Sequence, residues 1–173
     1  SILININGEL FARNEAKISV FDSGFILGDG VWEGLRVHHG RIAFLDRHLD
    51  RLWEGAKTLD FEIGLTREAL TARLYDTLKA NGMAEADGVH IRLMVTRGMK
   101  STPYQDPRVT IGPATIVIIP EWKNPNPAKA SDGVKLFTAH VRRGYPDVQD
   151  QKLNSHSKLN CIMACIQATK AGA

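Results

Sequence analysis

A chain of 173 residues, 43% hydrophobic and 24% charged, falls in the ordinary soluble globular range and can fill one large domain or two small ones. Its formal net charge of +3 is scattered among Asp and Glu residues with no basic block, which argues against nucleic acid as the main partner. No run approaches the roughly 18 apolar residues of a membrane span, and the start SILININGEL lacks the regions of a signal peptide, so no membrane partner is expected and the cytoplasm is the expected compartment.

Ile2 to Ile6 and Glu9 to Ala12 flank Asn7-Gly8, a dipeptide suited to a tight hairpin turn. A glycine-rich loop with Asp22-Ser23-Gly24 and Gly28-Asp29-Gly30 follows, and then a second hairpin of Val31 to Val37 and Arg41 to Phe44 about His39-Gly40. From Leu45 the period changes: Leu45, Leu49, Leu52, Trp53, Ala56 and Leu59 form the stripe of an amphipathic helix. Thr66 reads as the N-cap of a second helix that Asn81-Gly82 stops.

Val89, Ile91, Leu93 and Val95 alternate with more polar residues, as in a half-buried strand, while Thr115 to Ile119 reads as a strand covered on both faces. Between them, Met99 to Pro113 carries three prolines and is expected to be a long functional loop. The Pro-rich stretch 122–132 is the expected interdomain linker, with residues 1–121 as a small N-terminal domain and 133–173 as the beginning of a second. That second part is predicted to hold a strand over Val134 to Val141 and a final helix carrying Leu159, Ile162, Met163 and Ile166. One strand and one helix cannot bury a core, so this domain is expected to be incomplete. Cys161 and Cys165, four apart on that helix, lack a second Cys or His pair at zinc-ligand spacing and read as small, buried, reduced packing residues.

Two places can carry chemistry. His48 and Arg51, three apart on the first long helix, share a face away from Leu49 and Leu52, and a planar guanidinium held there suits a phosphate. Lys158 lies at the start of the last helix, where the dipole disfavours the ammonium form and helps the amine act as a nucleophile. Taken by spacing alone, each also fits a solvated surface charge. Gly28-Asp29-Gly30 opens into a strand and matches no nucleotide-binding pattern, and no GxSxG elbow exists.

Taken together, Ile18 to Phe25, Gly28-Asp29-Gly30-Val31-Trp32-Glu33 and His48-Leu49-Asp50-Arg51-Leu52 resemble, in order and spacing, the N-terminal domain of class IV aminotransferases. These fold-type IV enzymes depend on pyridoxal phosphate (PLP) and include branched-chain and D-amino-acid aminotransferases and aminodeoxychorismate lyase. The resemblance runs the whole length of the chain and implies an α+β fold. A small domain of antiparallel strands with two helices would be followed by the start of a second α/β domain. It further implies a homodimer whose loop after Arg97-Gly98 reaches toward a substrate pocket.

Carried over by residue, Arg51 matches the arginine that holds the PLP phosphate, and Trp32 stands where D-amino-acid enzymes usually place a tyrosine. The family pattern I-K-S-L-N-Y-L-N-N aligns with Leu153 to Cys161 and puts Asn154 at the lysine register. An amide cannot form an imine, so a neighbouring lysine must serve if the chemistry is kept. Lys158 is the expected one, on the argument that it lies one helical turn beyond Asn154 and shares its face, whereas Lys152 requires a slip of register. The acidic partner of the pyridine nitrogen follows Ala173 in the family, so this chain alone is expected to be inactive. The implied activity is amino-group transfer between an amino acid, branched-chain by default, and a 2-oxo acid. A PLP lyase, a catalytically silent homologue and a plain anion-binding module centred on Arg51 are the alternatives.

Overall fold

The computed structural model describes residues 2–173. Asn7 and Gly8 adopt φ of 54° and 100°, the left-handed pair that joins strands of right-handed twist, and β1 (Leu3–Ile6) and β2 (Glu9–Ala12) pair across them as expected. The loop after them contains an unexpected one-turn helix, α1 (Ser23–Leu27), capped by the Asp22 carboxylate on the Gly24 N–H. Five residues are too few to show a helical period.

Strand β3 (Gly30–His38) turns at His39-Gly40 into the very short β4 (Arg41–Ile42), and Phe44 leaves the strand to precede α2 (Leu45–Thr58). Thr66 accepts from the Ala69 N–H at the start of α3 (Arg67–Ala80), and Asn81-Gly82 ends it. Next come β5 (Val89–Thr96), a 3-10 turn at Pro107–Val109 and β6 (Thr115–Trp122). All six strands form one antiparallel sheet in the order β2-β1-β6-β5-β3-β4. Leu49, Leu52 and Ala56 of α2 and Leu70, Leu74 and Leu78 of α3 close the core against Leu35, Ile91, Leu93 and Ile118 of the sheet. Burying each such side chain contributes about 1.5–3 kcal/mol, so this one interface holds the unit together. The α+β expectation stands.

Three expectations for the remaining chain need correction. The other side of β6 is not covered: Val117 and Ile119 are half-buried and line an open apolar hollow with Met94 and Phe25. Val134 to Val141 forms no strand, because nothing among the described residues pairs with it, and Leu136 is left 90% exposed. Within 122–132 lies a single helical turn, α4 (Ala128–Ser131), and the last helix, α5, spans Leu159–Lys170 with Lys158 as its N-cap. Cys161 and Cys165 are exposed on α5 and not buried as expected, because no other element among the described residues covers that helix.

The sheet also dictates one backbone tolerance. Gly98 takes φ of 101°, and a Cβ there would sit 2.1 Å from the Pro113 carbonyl oxygen, whereas Gly64, at φ of 79°, faces open space. Gly98→Ala is expected to cost more than about 2 kcal/mol, and Gly64→Ala only the left-handed strain of about 1 kcal/mol. Equal urea midpoints for the two variants would show that the Pro113 contact constrains nothing.

Candidate active site

The site is built where β3 leaves an edge open. Short β4 pairs only with Val37 and His38, so the N-terminal end of β3 is free on that side. Residues 154–156 fill it. The Trp32 N–H donates to the Asn154 carbonyl at 2.9 Å, the His156 N–H donates to the Gly30 carbonyl at 2.9 Å, and Val31 bridges Ser155. Side chains reinforce the pairing: Asn154 Nδ2 donates to the Trp32 carbonyl at 2.6 Å and Trp32 Nε1 to the Ser155 carbonyl at 3.1 Å. Asn154 is therefore on a sheet edge and not on α5, which corrects the idea of a helix face shared with Lys158. The two side chains meet all the same, with Lys158 Nζ 3.2 Å from Asn154 Oδ1.

Lys158 is half-buried, with its amine 5.3 Å from the centre of the Trp32 ring, and the Arg92 guanidinium lies 3.8 Å from the same ring. Burial is the main cause that pushes its amine below the ordinary lysine value; Cys161 opposes it, and the positive charges of Arg143, Arg51 and Arg92 add smaller effects in the direction of burial. Lys152, by contrast, is exposed.

Arg51 lies on α2 at the other side of this region, and its anchor is Glu33 of β3. Its Nε and Nη2 donate to the two Glu33 carboxylate oxygens at 2.7 and 2.5 Å, while His48 Nδ1 lies 2.7 Å from Oε2. Glu33 is fully buried and the Arg51 side chain is half exposed, so one edge of the fork is fixed and Nη1 is left without a partner among the described residues. Glu33 raises the Arg51 pKa through that paired hydrogen bond. Arg51 and Lys152 line one groove, whereas Lys158 and Arg143 line a cavity of about 140 Å³ beside it; Leu153 borders both.

His48 and Arg51 do share the face expected of them. Glu33, Arg92 and Arg143 are absent from the sequence-derived candidates. For Glu33 a signal was readable: it falls in period-two register with Val31, Leu35 and Val37 on the core face of β3, and a carboxylate there requires a cation. Nothing local marks Arg92 or Arg143, which reach the region only through the fold.

His156 contributes a pH dependence to the docking of this segment. Its Nε2 lies 3.0 Å from the Val31 carbonyl, and burial holds its pKa below the ordinary histidine value of about 6.5, outweighing the opposing effect of that hydrogen bond. The unfolded chain then binds more protons as the pH falls below about 6.5, so this stability is present above that pH and is lost as acid titrates the folded ring. His90, also lowered by burial, acts in the same direction. Melting temperature is expected to fall from about pH 7.5 to 5.5 and to fall less in His156→Gln. An unchanged slope in the variant would assign the effect elsewhere.

An antiparallel sheet backed by two helices, with an anchored arginine and a half-buried lysine near its edge, is the N-terminal architecture of a fold-type IV enzyme. The model of the amino-transferase class IV family matches residues 30–173, and the chain belongs to that family. Among curated relatives, the Arabidopsis thaliana branched-chain-amino-acid aminotransferase-like protein 1 is 40% identical across 99% of this chain and 30% of its own length. A branched-chain aminotransferase from the thermophilic archaeon Thermoproteus uzoniensis, solved with norvaline, superposes with a TM-score of 0.82 at 26% identity, over 99% of this chain and 57% of that one. The 4-amino-4-deoxychorismate lyase of Pseudomonas aeruginosa superposes with a TM-score of 0.71 at 29% identity, over 95% of this chain and 56% of the lyase. The chain thus spans between about a third and just over half of the relatives it matches. PLP is the cofactor of class IV aminotransferases, and solved branched-chain enzymes of this fold carry its derivatives.

The residues present suit that cofactor. A guanidinium with one edge tied down and another free fits a phosphate, and an amine pushed toward its neutral form fits an aldehyde. No helix among the described residues is long and apolar enough to cross a membrane.

Proposed function

We propose that the full-length protein is a PLP-dependent aminotransferase that moves an amino group between an amino acid, branched-chain in the first instance, and a 2-oxo acid. One observation carries this reading: the half-buried Lys158 brings its amine 3.2 Å from Oδ1 of Asn154, the residue that the family resemblance puts at the lysine register. PLP supplies a carbonyl that takes the amino group and a ring that draws electron density from the substrate carbon. Arg51 would hold the phosphate with the free edge of its guanidinium, kept in place by Glu33. Lys158 Nζ would move the proton between the substrate α-carbon and the cofactor. Trp32 walls off water on the lysine side, and Arg92, stacked on the same ring, adds positive charge that favours an anionic substrate.

We also propose that 122–132 is the link to a second domain completed in the full-length protein, which would work as a cytoplasmic homodimer. The likeness to 4-amino-4-deoxychorismate lyase supports a second reading, elimination in place of transfer. Asn154 supports a third, a silent homologue. The test is the full-length protein supplied with PLP, an amino-acid panel and 2-oxoglutarate, with products read by mass spectrometry. Stoichiometric glutamate and 2-oxo acid are expected. Elimination products without glutamate would favour the lyase, and no turnover with any substrate would favour the silent homologue.

A further inference from the structure

The end of β3 remote from Trp32 holds a second cluster of chemistry-bearing side chains. His38 Nδ1 lies 3.0 Å from Asp87 Oδ1 and His39 Nδ1 lies 2.9 Å from Asp87 Oδ2, with one donor atom from each residue within 4.8 Å of the others. Consecutive strand residues ordinarily face opposite ways. Here His39 takes φ of 45°, which swings its ring to the side of His38, with ring centroids 4.3 Å apart. The backbone holds this in place: the His39 N–H donates to Asp87 Oδ1 at 2.5 Å and the Gly40 N–H to the Ala86 carbonyl at 3.1 Å. At Gly40 a Cβ would stand 2.5 Å from the Ala84 carbonyl oxygen, so the hairpin turn and the α3–β5 loop meet too closely for any side chain there.

We propose that His38, His39 and Asp87 form a site for a divalent transition-metal ion, zinc above all, separate from the candidate active site. Two imidazoles and a carboxylate are donors suited to zinc, whereas magnesium and calcium call for an all-oxygen shell. Zinc bonds of about 2.0–2.1 Å at tetrahedral angles set donors about 3.3 Å apart. The two imidazoles now meet different oxygens of Asp87 at 3.0 and 2.9 Å, and with one donor atom from each residue within 4.8 Å of the others, rotation of these exposed side chains brings three donors to one ion. Both rings are largely exposed, 72% and 76% of their side chains. Each Nδ1 can therefore face the ion while its Nε2–H faces water, and the fourth position is open to a water molecule. A bound ion would pin the β3–β4 turn to the α3–β5 loop and stabilise the folded state by mass action.

Calorimetric titration of the full-length protein with Zn²⁺ tests this. A one-equivalent component is expected that His39→Asn and Asp87→Asn each weaken at least about tenfold, while Cys161→Ser leaves it unchanged. Asn tolerates the left-handed conformation, so His39→Asn removes the ligand and keeps the turn. The parent should also gain melting temperature on addition of Zn²⁺, and His39→Asn should not. Absence of the one-equivalent component, its persistence in His39→Asn, or its loss in Cys161→Ser would overturn the assignment.

Discussion

Lys158→Ala is expected to abolish amino-group transfer in the full-length protein, while Lys152→Ala leaves most of it. The contrast rests on environment. Lys158 is half-buried, its amine lies 3.2 Å from Asn154 Oδ1, and burial lowers its pKa, whereas Lys152 is exposed on the groove that Arg51 lines. A neutral amine is what both nucleophilic attack and proton transfer require, and burial moves Lys158 in that direction. Asn154→Lys in the Lys158→Ala background is expected to restore activity, because position 154 sits on the β3 edge within reach of the same space. Single-turnover measurement with an amino-acid panel reads all three variants. Wild-type turnover in Lys158→Ala would return Lys158 to the role of a surface charge and pass the choice to Lys152.

Arg51→Ala should weaken PLP binding in the full-length protein by about 2 to 3 kcal/mol, roughly 30- to 140-fold, the loss expected for a charge-assisted pair. Arg47→Ala, one turn earlier on α2, is the control. The same substitution strips the fully buried Glu33 of its guanidinium and leaves it only His48, so stability should fall as well. That cost is expected at about 2 to 3 kcal/mol, below the 3–5 kcal/mol of a wholly buried pair because Arg51 is half exposed. Glu33→Gln separates the two effects. It removes the buried charge and spares the fold, yet loosens the guanidinium, so PLP affinity should fall while the urea midpoint changes little. Equal PLP affinity in Arg51→Ala and Arg47→Ala would assign Arg51 a structural role only.

The long elements were legible in the sequence because their signals are local and redundant. Fourteen residues of α2 repeat the three-four spacing of Leu45, Leu49, Leu52 and Ala56, and the two ends of α3 and both tight turns rest on one or two residues each. Short α1 and the Val134 to Val141 stretch were not legible, the first for want of a full period and the second because an apolar alternation becomes a strand only when another strand pairs with it.

By itself the sequence determined the α+β class, the shared face of His48 and Arg51 and the family, since periodicity, capping and ordered motifs act over a few residues at a time. Only the tertiary structure decided that Glu33 of β3 holds Arg51 and that Asn154 lies on a strand edge left open by short β4. It alone brought Arg92 onto Trp32 and His39 beside His38 against Asp87. Each of these depends on register between segments distant along the chain, and register is set by how a whole apolar face is buried.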